Sequence, residues 1–364
     1  MPDLFEYLDW RGDIPFERLP LCEVDNLIFS LLSYAKYDGV VPPLSLRESI
    51  ALTDAVAAYD QLHGPSNDGD LGILVPGRNI LRLFREAAKT RRFASVRMCG
   101  YEDRLSDAEQ KQFAAVTFLL PDGTAYVAFR GTDDTIVGWK EDFNMSYHSP
   151  IPSQLEATAY LNRAGKRHAG ALYVGGHSKG GNLAVYAGVH CLREVKDRIC
   201  AVYNNDGPGF EREFMYEEGY REIAHKIETY IPTYSIVGML FERLEACTVV
   251  QSREQRIMQH DGFSWEVQGG SFVRAPDTLP DSKRIDRAMK EWVASISKEE
   301  REAYVNAVYG LLTATEAKTL SELGRSGLKL LRAYLTMDPD ARDLMHETTK
   351  GFIERYRKHG KREE

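Results

Sequence analysis

The spacing of apolar and polar positions changes character along the chain. Leu27 to Tyr34 and Leu46 to Leu62 carry apolar side chains at helical intervals, and the second run stops before Gly64-Pro65-Ser66-Asn67-Asp68-Gly69, a loop composition. The two predicted helices read as an N-terminal cap. From Ala114 short apolar runs take over. Ala114 to Leu120 and Tyr126 to Phe129 flank Pro121-Asp122-Gly123 and predict two strands around a tight turn, where the sheet is expected to begin. Gln154 to Ala164 is helical in spacing, Ala171 to Val174 is a strand, Leu183, Ala184, Ala187 and Cys191 mark a helix, and Ile199 to Tyr203 is a strand. Strands alternating with helices of this length build parallel βαβ units, and Lys226 to Ile231 and Cys247 to Gln251 extend the sheet. The predicted core is α/β.

After about residue 280 the strands stop. Ile285, Ala288, Met289, Trp292, Val293 and Ile296 form one apolar stripe, and Ser297-Lys298-Glu299-Glu300 is a capping-box pattern that opens the next helix. Gly324 to Gly327 and Asp338-Pro339 punctuate two or three further helices. Such stripes are expected to pack on each other and on the core in preference to facing a membrane or a partner. Arg355 to Arg362 reads as a solvated basic helix end. The chain therefore divides into residues 1–280, one unit with its helical cap, and 281–364, a helical extension.

Composition narrows the function classes. Of 364 residues 43% are apolar and 27% charged, and 46 basic against 54 acidic side chains give a net charge of -8. That is a globular balance, and it lacks the basic footprint of a nucleic-acid binder. Cys22, Cys99, Cys191, Cys200 and Cys247 show no paired spacing of a zinc site or disulfide framework and read as reduced, mostly core thiols. The N-terminus has neither the basic nor the apolar region of a signal peptide, and no run of about 18 apolar residues occurs, so a cytoplasmic protein without a transmembrane segment is expected.

The chemistry concentrates in two motifs. Val174-Gly175-Gly176-His177-Ser178-Lys179-Gly180-Gly181 contains a G-x-S-x-G at Gly176, Ser178 and Gly180, preceded by a strand and followed by a helix, the context of a nucleophile elbow. Ser178 is then the nucleophile, the Lys179 N–H an oxyanion donor, and Gly176 and Gly180 leave room for the neighbouring strand and helix. The alternative is a glycine-rich turn whose serine merely caps the helix. Val127-Ala128-Phe129-Arg130-Gly131-Thr132 is a strand ending in a turn, where Thr132 offers a second oxyanion donor; the alternative is a turn with an ordinary salt-bridged Arg130. A serine nucleophile needs a base. Of the histidines well beyond Ser178, His346 and His359 fall in the helical tail and His225 at a strand entrance, which leaves His260; His177 is expected at the pocket edge.

The order Phe-Arg-Gly-Thr, then Trp139-Lys140-Glu141-Asp142, then Gly-His-Ser-Lys-Gly resembles the class 3 (fungal-type) lipases, and more closely an uncharacterised bacterial family of lipase-like α/β-hydrolases, the Mbeg-like domain. Trp10-Arg11-Gly12-Asp13, Glu23-Val24-Asp25-Asn26-Leu27, Gln112-Phe113-Ala114, Asp206-Gly207-Pro208-Gly209-Phe210 and Gln259-His260-Asp261-Gly262-Phe263-Ser264-Trp265 belong to the same similarity, which covers about residues 4–275. It implies an α/β-hydrolase fold acting on a carboxylic ester, with Thr132 as the oxyanion residue, Asp142 orienting its hydroxyl, and a lid between Asp133 and Ser153. His260 also matches this pattern. Where class 3 lipases keep the acid, this chain has Ser235, a departure. Asp206, at the end of the strand after the nucleophile helix, is the best replacement, with Asp261 second and an Asx turn before Gly207 as the non-catalytic reading. Ser235 is expected against the imidazole.

The expectation is a serine hydrolase of lipid or other acyl esters, needing no metal or organic cofactor and free to touch a lipid surface peripherally. Two alternatives stay open. One is a catalytically silent lipid-binding or interaction module on the same fold; the other is an acyltransferase or thioesterase using the same residues.

Overall fold

In the computed structural model, which describes residues 2–64, 77–133, 135–319, 322–323 and 327–360, eight strands form one sheet in sequential order. They are β1 (Ile50–Ala51), β2 (Arg97–Ser106), β3 (Lys111–Leu119), β4 (Ala125–Phe129), β5 (Leu172–His177), β6 (Ile199–Asn205), β7 (Ile227–Pro232) and β8 (Cys247–Val250). β1 to β4 pair antiparallel, and β4 to β8 are all parallel. β9 (Val267–Gln268) and β10 (Ser271–Phe272) make a separate small hairpin.

The helices are α1 (Leu4–Arg11), α2 (Glu23–Leu32), α3 (Leu52–His63), α4 (Gly77–Lys89), α5 (Arg91–Ala94), α6 (Ile136–Asn144), α7 (Pro152–Arg167), α8 (Lys179–His190), α9 (Arg193–Lys196), α10 (Glu218–Ile223), α11 (Pro280–Ala294), α12 (Lys298–Thr313), α13 (Gly327–Thr336) and α14 (Pro339–Gly360).

Strand alternation sorts them into layers. Ala125, Val127 and Phe129 of β4 point into one apolar core with α7, α8 and α10, the helices of the crossovers. Tyr126 and Ala128 point into the other, with α1 to α4. The protein is thus an α/β fold with a central sheet covered on both faces. The N-terminal helices are a layer of this sandwich and not a cap over its top, because their apolar stripes are the second cover that a sheet buried on both faces requires.

The sheet begins earlier than Ala114. β2 escapes a hydrophobicity reading because its second half, Glu102 to Ser106, is polar and half-exposed, yet it pairs with β3 from Arg97–Leu119 to Ser106–Lys111. Ile50 and Ala51 pair with Met98 and Arg97, so the helix expected from Leu46 starts only at Leu52. Residues 65–69 of the predicted loop and 324–326 of the predicted helix break lie outside the described residues. All five cysteines are free, but only Cys99 and Cys191 are buried; Cys22 and Cys247 are half-buried and Cys200 is exposed.

The capping box at Ser297 forms as predicted, with Glu300 N–H donating to Ser297 Oγ at 3.1 Å and Ser297 N–H to Glu300 Oε2 at 2.8 Å. α11 and α12 both pack on α14, and α12 also packs on α6. The basic end of α14 is not simply solvated: His359 is buried and stands 3.0 Å from Glu291 of α11. Among the described residues no helix is long and apolar enough to cross a membrane.

Candidate functional site

The parallel strands β5 and β6 deliver Ser178 and Asp206 from adjacent C-terminal ends. Ser178 sits between β5 and α8 at φ 57°, ψ -135°, a region that costs a non-glycine residue on the order of 1–3 kcal/mol. The strain is held by its N–H donating to Asn205 O at 2.9 Å and by Gly181 N–H donating to Ser178 O at 2.9 Å. A Cβ on Gly176 would lie 2.5 Å, and one on Gly180 2.1 Å, from Phe129 O, so both must be glycine for the turn to close on β4. The Ser178 hydroxyl makes no cap bond to α8, which removes the reading of a mere capping serine. Asn205 Nδ2 donates to Gly176 O at 3.0 Å and reaches Asn26 and Ser30 of α2, so the N-terminal layer braces the turn from beneath.

Asp206 Oδ2 and His260 Nδ1 are 2.6 Å apart, both residues being buried. Nδ1–H donating to a carboxylate leaves Nε2 as the free ring nitrogen, with its lone pair available. The other carboxylate oxygen accepts from Ser235 Oγ at 2.6 Å. Ser235 therefore serves the acid and not the imidazole as expected, since the carboxylate stands between them. The Asx turn foreseen at Asp206 belongs to Asn204, whose Oδ1 accepts from Gly207 N–H at 2.8 Å. Asp261, the second choice, turns away to accept from Phe263 N–H at 3.1 Å.

The loop carrying His260 is pinned at three points. Trp265 Nε1–H donates to Gln259 O at 2.9 Å, and Gln259 Oε1 accepts from Thr233 Oγ1 and Tyr234 N–H. The third point is His177, which does not line a pocket edge. Completely buried, it donates Nε2–H to His260 O at 2.7 Å, and its Nδ1 accepts from Tyr34 Oη at 3.1 Å. Burial, with His260 adjacent, lowers its pKa to about 3 and keeps the ring neutral.

On the opposite side Thr132 Oγ1 donates to Asp142 Oδ2 at 2.6 Å. Burial raises the Asp142 carboxyl to about 6, against the pull of the Lys179 ammonium 3.7 Å from its Oδ1. As the first residue of α8, Lys179 has no intrahelical partner for its N–H. Sequence reasoning missed its side chain: Nζ is buried, donating to Glu141 Oε2 at 2.8 Å and to Gln112 O and Oε1, each at 2.9 Å. Glu141 is wholly buried and also accepts from Gln112 N–H and Ser153 N–H, both at 3.0 Å. The signal lay in the Gly-His-Ser-Lys-Gly motif, which carries the lysine, and in Trp139-Lys140-Glu141-Asp142, which carries the glutamate on α6. Arg130 does form the ion pair named in the alternative reading of its turn, a bidentate one to Asp103 at 2.9 Å per bond.

Ser178, Thr132, Lys179, Asp142 and His260 all line one cavity of about 670 Å³. The segment expected as a lid contains α6, an ordered helix capped by Thr135, and Trp139, Phe143 and Met145 from it face the cavity.

A family model described as Mbeg1-like matches residues 87–310, more than half of the chain. The chain belongs to the Mbeg1-like family. The Mbeg1-like match runs from within α4 to within α12 and takes in Thr132, Asp142, Ser178, Lys179, Asp206, Ser235 and His260, while the bracing residues Asn26, Ser30 and Tyr34 precede it. It starts later than the similarity read from the sequence, leaving out Trp10 to Asp13 and Glu23 to Leu27, and ends later, taking in α11 and most of α12. No curated protein and no solved structure matches this Mbeg1-like chain.

Proposed function

We propose that this protein is a serine hydrolase of carboxylic esters, on an α/β-hydrolase-like fold akin to the class 3 lipases. The observation that carries the reading is the 2.6 Å contact from Asp206 to His260 Nδ1, which directs the basic Nε2 away from the acid in a cavity that His260 shares with Ser178. Ser178 Oγ attacks the ester carbonyl carbon and its proton passes to Nε2. The oxyanion is held by the N–H groups of Lys179 and Thr132 and by the Thr132 hydroxyl, which Asp142 holds in place in the free protein and whose one proton turns from Asp142 Oδ2 to the oxyanion as the charge forms. The bond to the leaving oxygen then breaks as that oxygen takes the proton from His260, and water repeats both transfers on the acyl-enzyme. In the free protein the Ser178 hydroxyl has no hydrogen-bond partner among the described residues, and its bond to His260 is one that forms with substrate bound.

A silent binding module is the weaker reading. Its motive was the serine at position 235, but a carboxylate does reach His260, from the neighbouring strand. A fluorophosphonate probe tests the proposal: wild-type protein should be labelled at Ser178 and should hydrolyse p-nitrophenyl esters, and Ser178→Ala should do neither. Wild type that is neither labelled nor active rejects it.

A further inference from the structure

The C-terminal helices were expected to cover the core, and they do more. The cavity that reaches Ser178 is walled on its far side by Met289, Trp292 and Val293 of α11, Tyr304 and Val305 of α12, and Phe352 of α14. Three of these rings lock together. Trp292 meets Tyr304 edge-on at 5.8 Å and Phe352 at 6.1 Å, and its Nε1–H donates to Thr348 O of α14 at 2.8 Å. The indole is thereby fixed with its polar atom satisfied and its apolar surface left for the cavity.

Several of the charged groups that line the cavity are engaged with protein. Lys298 pairs with Glu211 at 2.7 Å, Lys290 with Asp286 at 3.1 Å, and Arg301 donates to the Ser146 carbonyl. What remains facing the space is mainly apolar. A cavity of roughly 150 Å³ takes one benzene, so about 670 Å³ admits a ligand of on the order of 25 non-hydrogen atoms. Those atoms should be largely hydrocarbon, because most of the surface that faces them is apolar.

We infer that α11, α12 and α14 form the wall of an acyl-chain site, with Trp292 and Val293 setting how long a chain fits behind the carbonyl held at Ser178. This rests on the hydrolase reading for its carbonyl end and on the wall alone for its chain. The space is continuous from Ser178 to Trp292, so the occupant is the acyl group of the substrate itself.

The test is the ratio of kcat/KM for p-nitrophenyl octanoate to that for the acetate. Wild type should favour octanoate. Val293→Trp, at a half-exposed position where added bulk projects into the cavity, should lower the ratio at least tenfold, since each buried methylene contributes roughly fourfold. Trp292→Ala should shift the preference toward palmitate. Ratios unchanged in both variants, with wild-type melting temperatures, overturn the inference. Calorimetry with 1-decanol on Ser178→Ala protein separates the two proposals, because it needs no catalysis. Decanol binding that Val293→Trp weakens tenfold supports the wall even if no ester is cleaved, and absence of decanol binding refutes it even if Ser178 is labelled.

Discussion

The imidazoles of His177 and His260 lie 4.7 Å apart, and the first ring donates a hydrogen bond to the backbone carbonyl of the second. The residue before the proposed nucleophile thus fixes the loop that carries the proposed base. His177→Phe keeps an aromatic ring but leaves the His260 carbonyl unpaired, at a cost of about 1–3 kcal/mol, and leaves the Tyr34 hydroxyl only its 3.4 Å bond to the backbone carbonyl of residue 177. We expect a lower melting temperature and a fall in kcat of tenfold or more with little change in KM. An unaltered kcat at wild-type KM would show that His177 only fills space.

The same residue makes stability depend on pH. Its folded pKa, about 3, lies below the ordinary 6.5, so the unfolded chain binds the proton more readily. Its contribution is present above pH 6.5 and is lost as pH falls toward 3. Urea denaturation should show wild type losing more stability than His177→Phe between pH 6.5 and 4. Parallel curves for the two proteins would contradict this.

Asp206→Asn preserves shape while removing the charge that fixes the imidazole tautomer. Ester hydrolysis should fall by about 10³ to 10⁴-fold. Ser235→Ala removes one charge-assisted bond to Asp206 Oδ1, worth about 1.5–3 kcal/mol, and should reduce kcat by roughly tenfold. If Ser235→Ala were the more damaging of the two, the acid would have to be reassigned.

Thr132→Val removes a hydroxyl and keeps the shape and the N–H. Loss of one oxyanion donor costs about 10² to 10³ in kcat, and Thr132→Ser should recover most of it. Equal activity of the Val and Ser variants would exclude the hydroxyl from the reaction.

Lys179 and Glu141 are both buried, so each needs the other. Lys179→Met should destabilise the protein by about 3–5 kcal/mol in urea denaturation. A loss below 1 kcal/mol would mean that water reaches Glu141 when the lysine is gone.

What was legible in the sequence was local. Strands β3 to β8 each announced themselves as an apolar run, and Ser178 as a strand-turn-helix serine between two glycines. His260 could be chosen by elimination among the later histidines and Asp206 from its place at a strand end, and the structure brings those two together at 2.6 Å. What was not legible depends on partners far away in sequence. β2 looks polar because only its pairing with β3 makes it a strand. Nothing next to Lys179 in sequence shows what its side chain meets, because Gln112 and Glu141 come to it from 67 and 38 residues earlier. The stripe on α11 announces a face to be covered and says nothing of the cavity it borders.

α6 does not close over the site alone. Ile136 N–H donates to Lys318 O at 3.0 Å, and buried Lys140 donates to Asn306 Oδ1 of α12 at 2.6 Å. A protein shortened to residue 280 would leave that lysine only the Tyr147 hydroxyl, 3.2 Å away, and open Trp139, Met145 and the cavity to water. The last eighty residues therefore shelter apolar surface that the rest of the chain would leave bare, and a chain lacking them should be recovered as aggregate, not as a smaller folded protein.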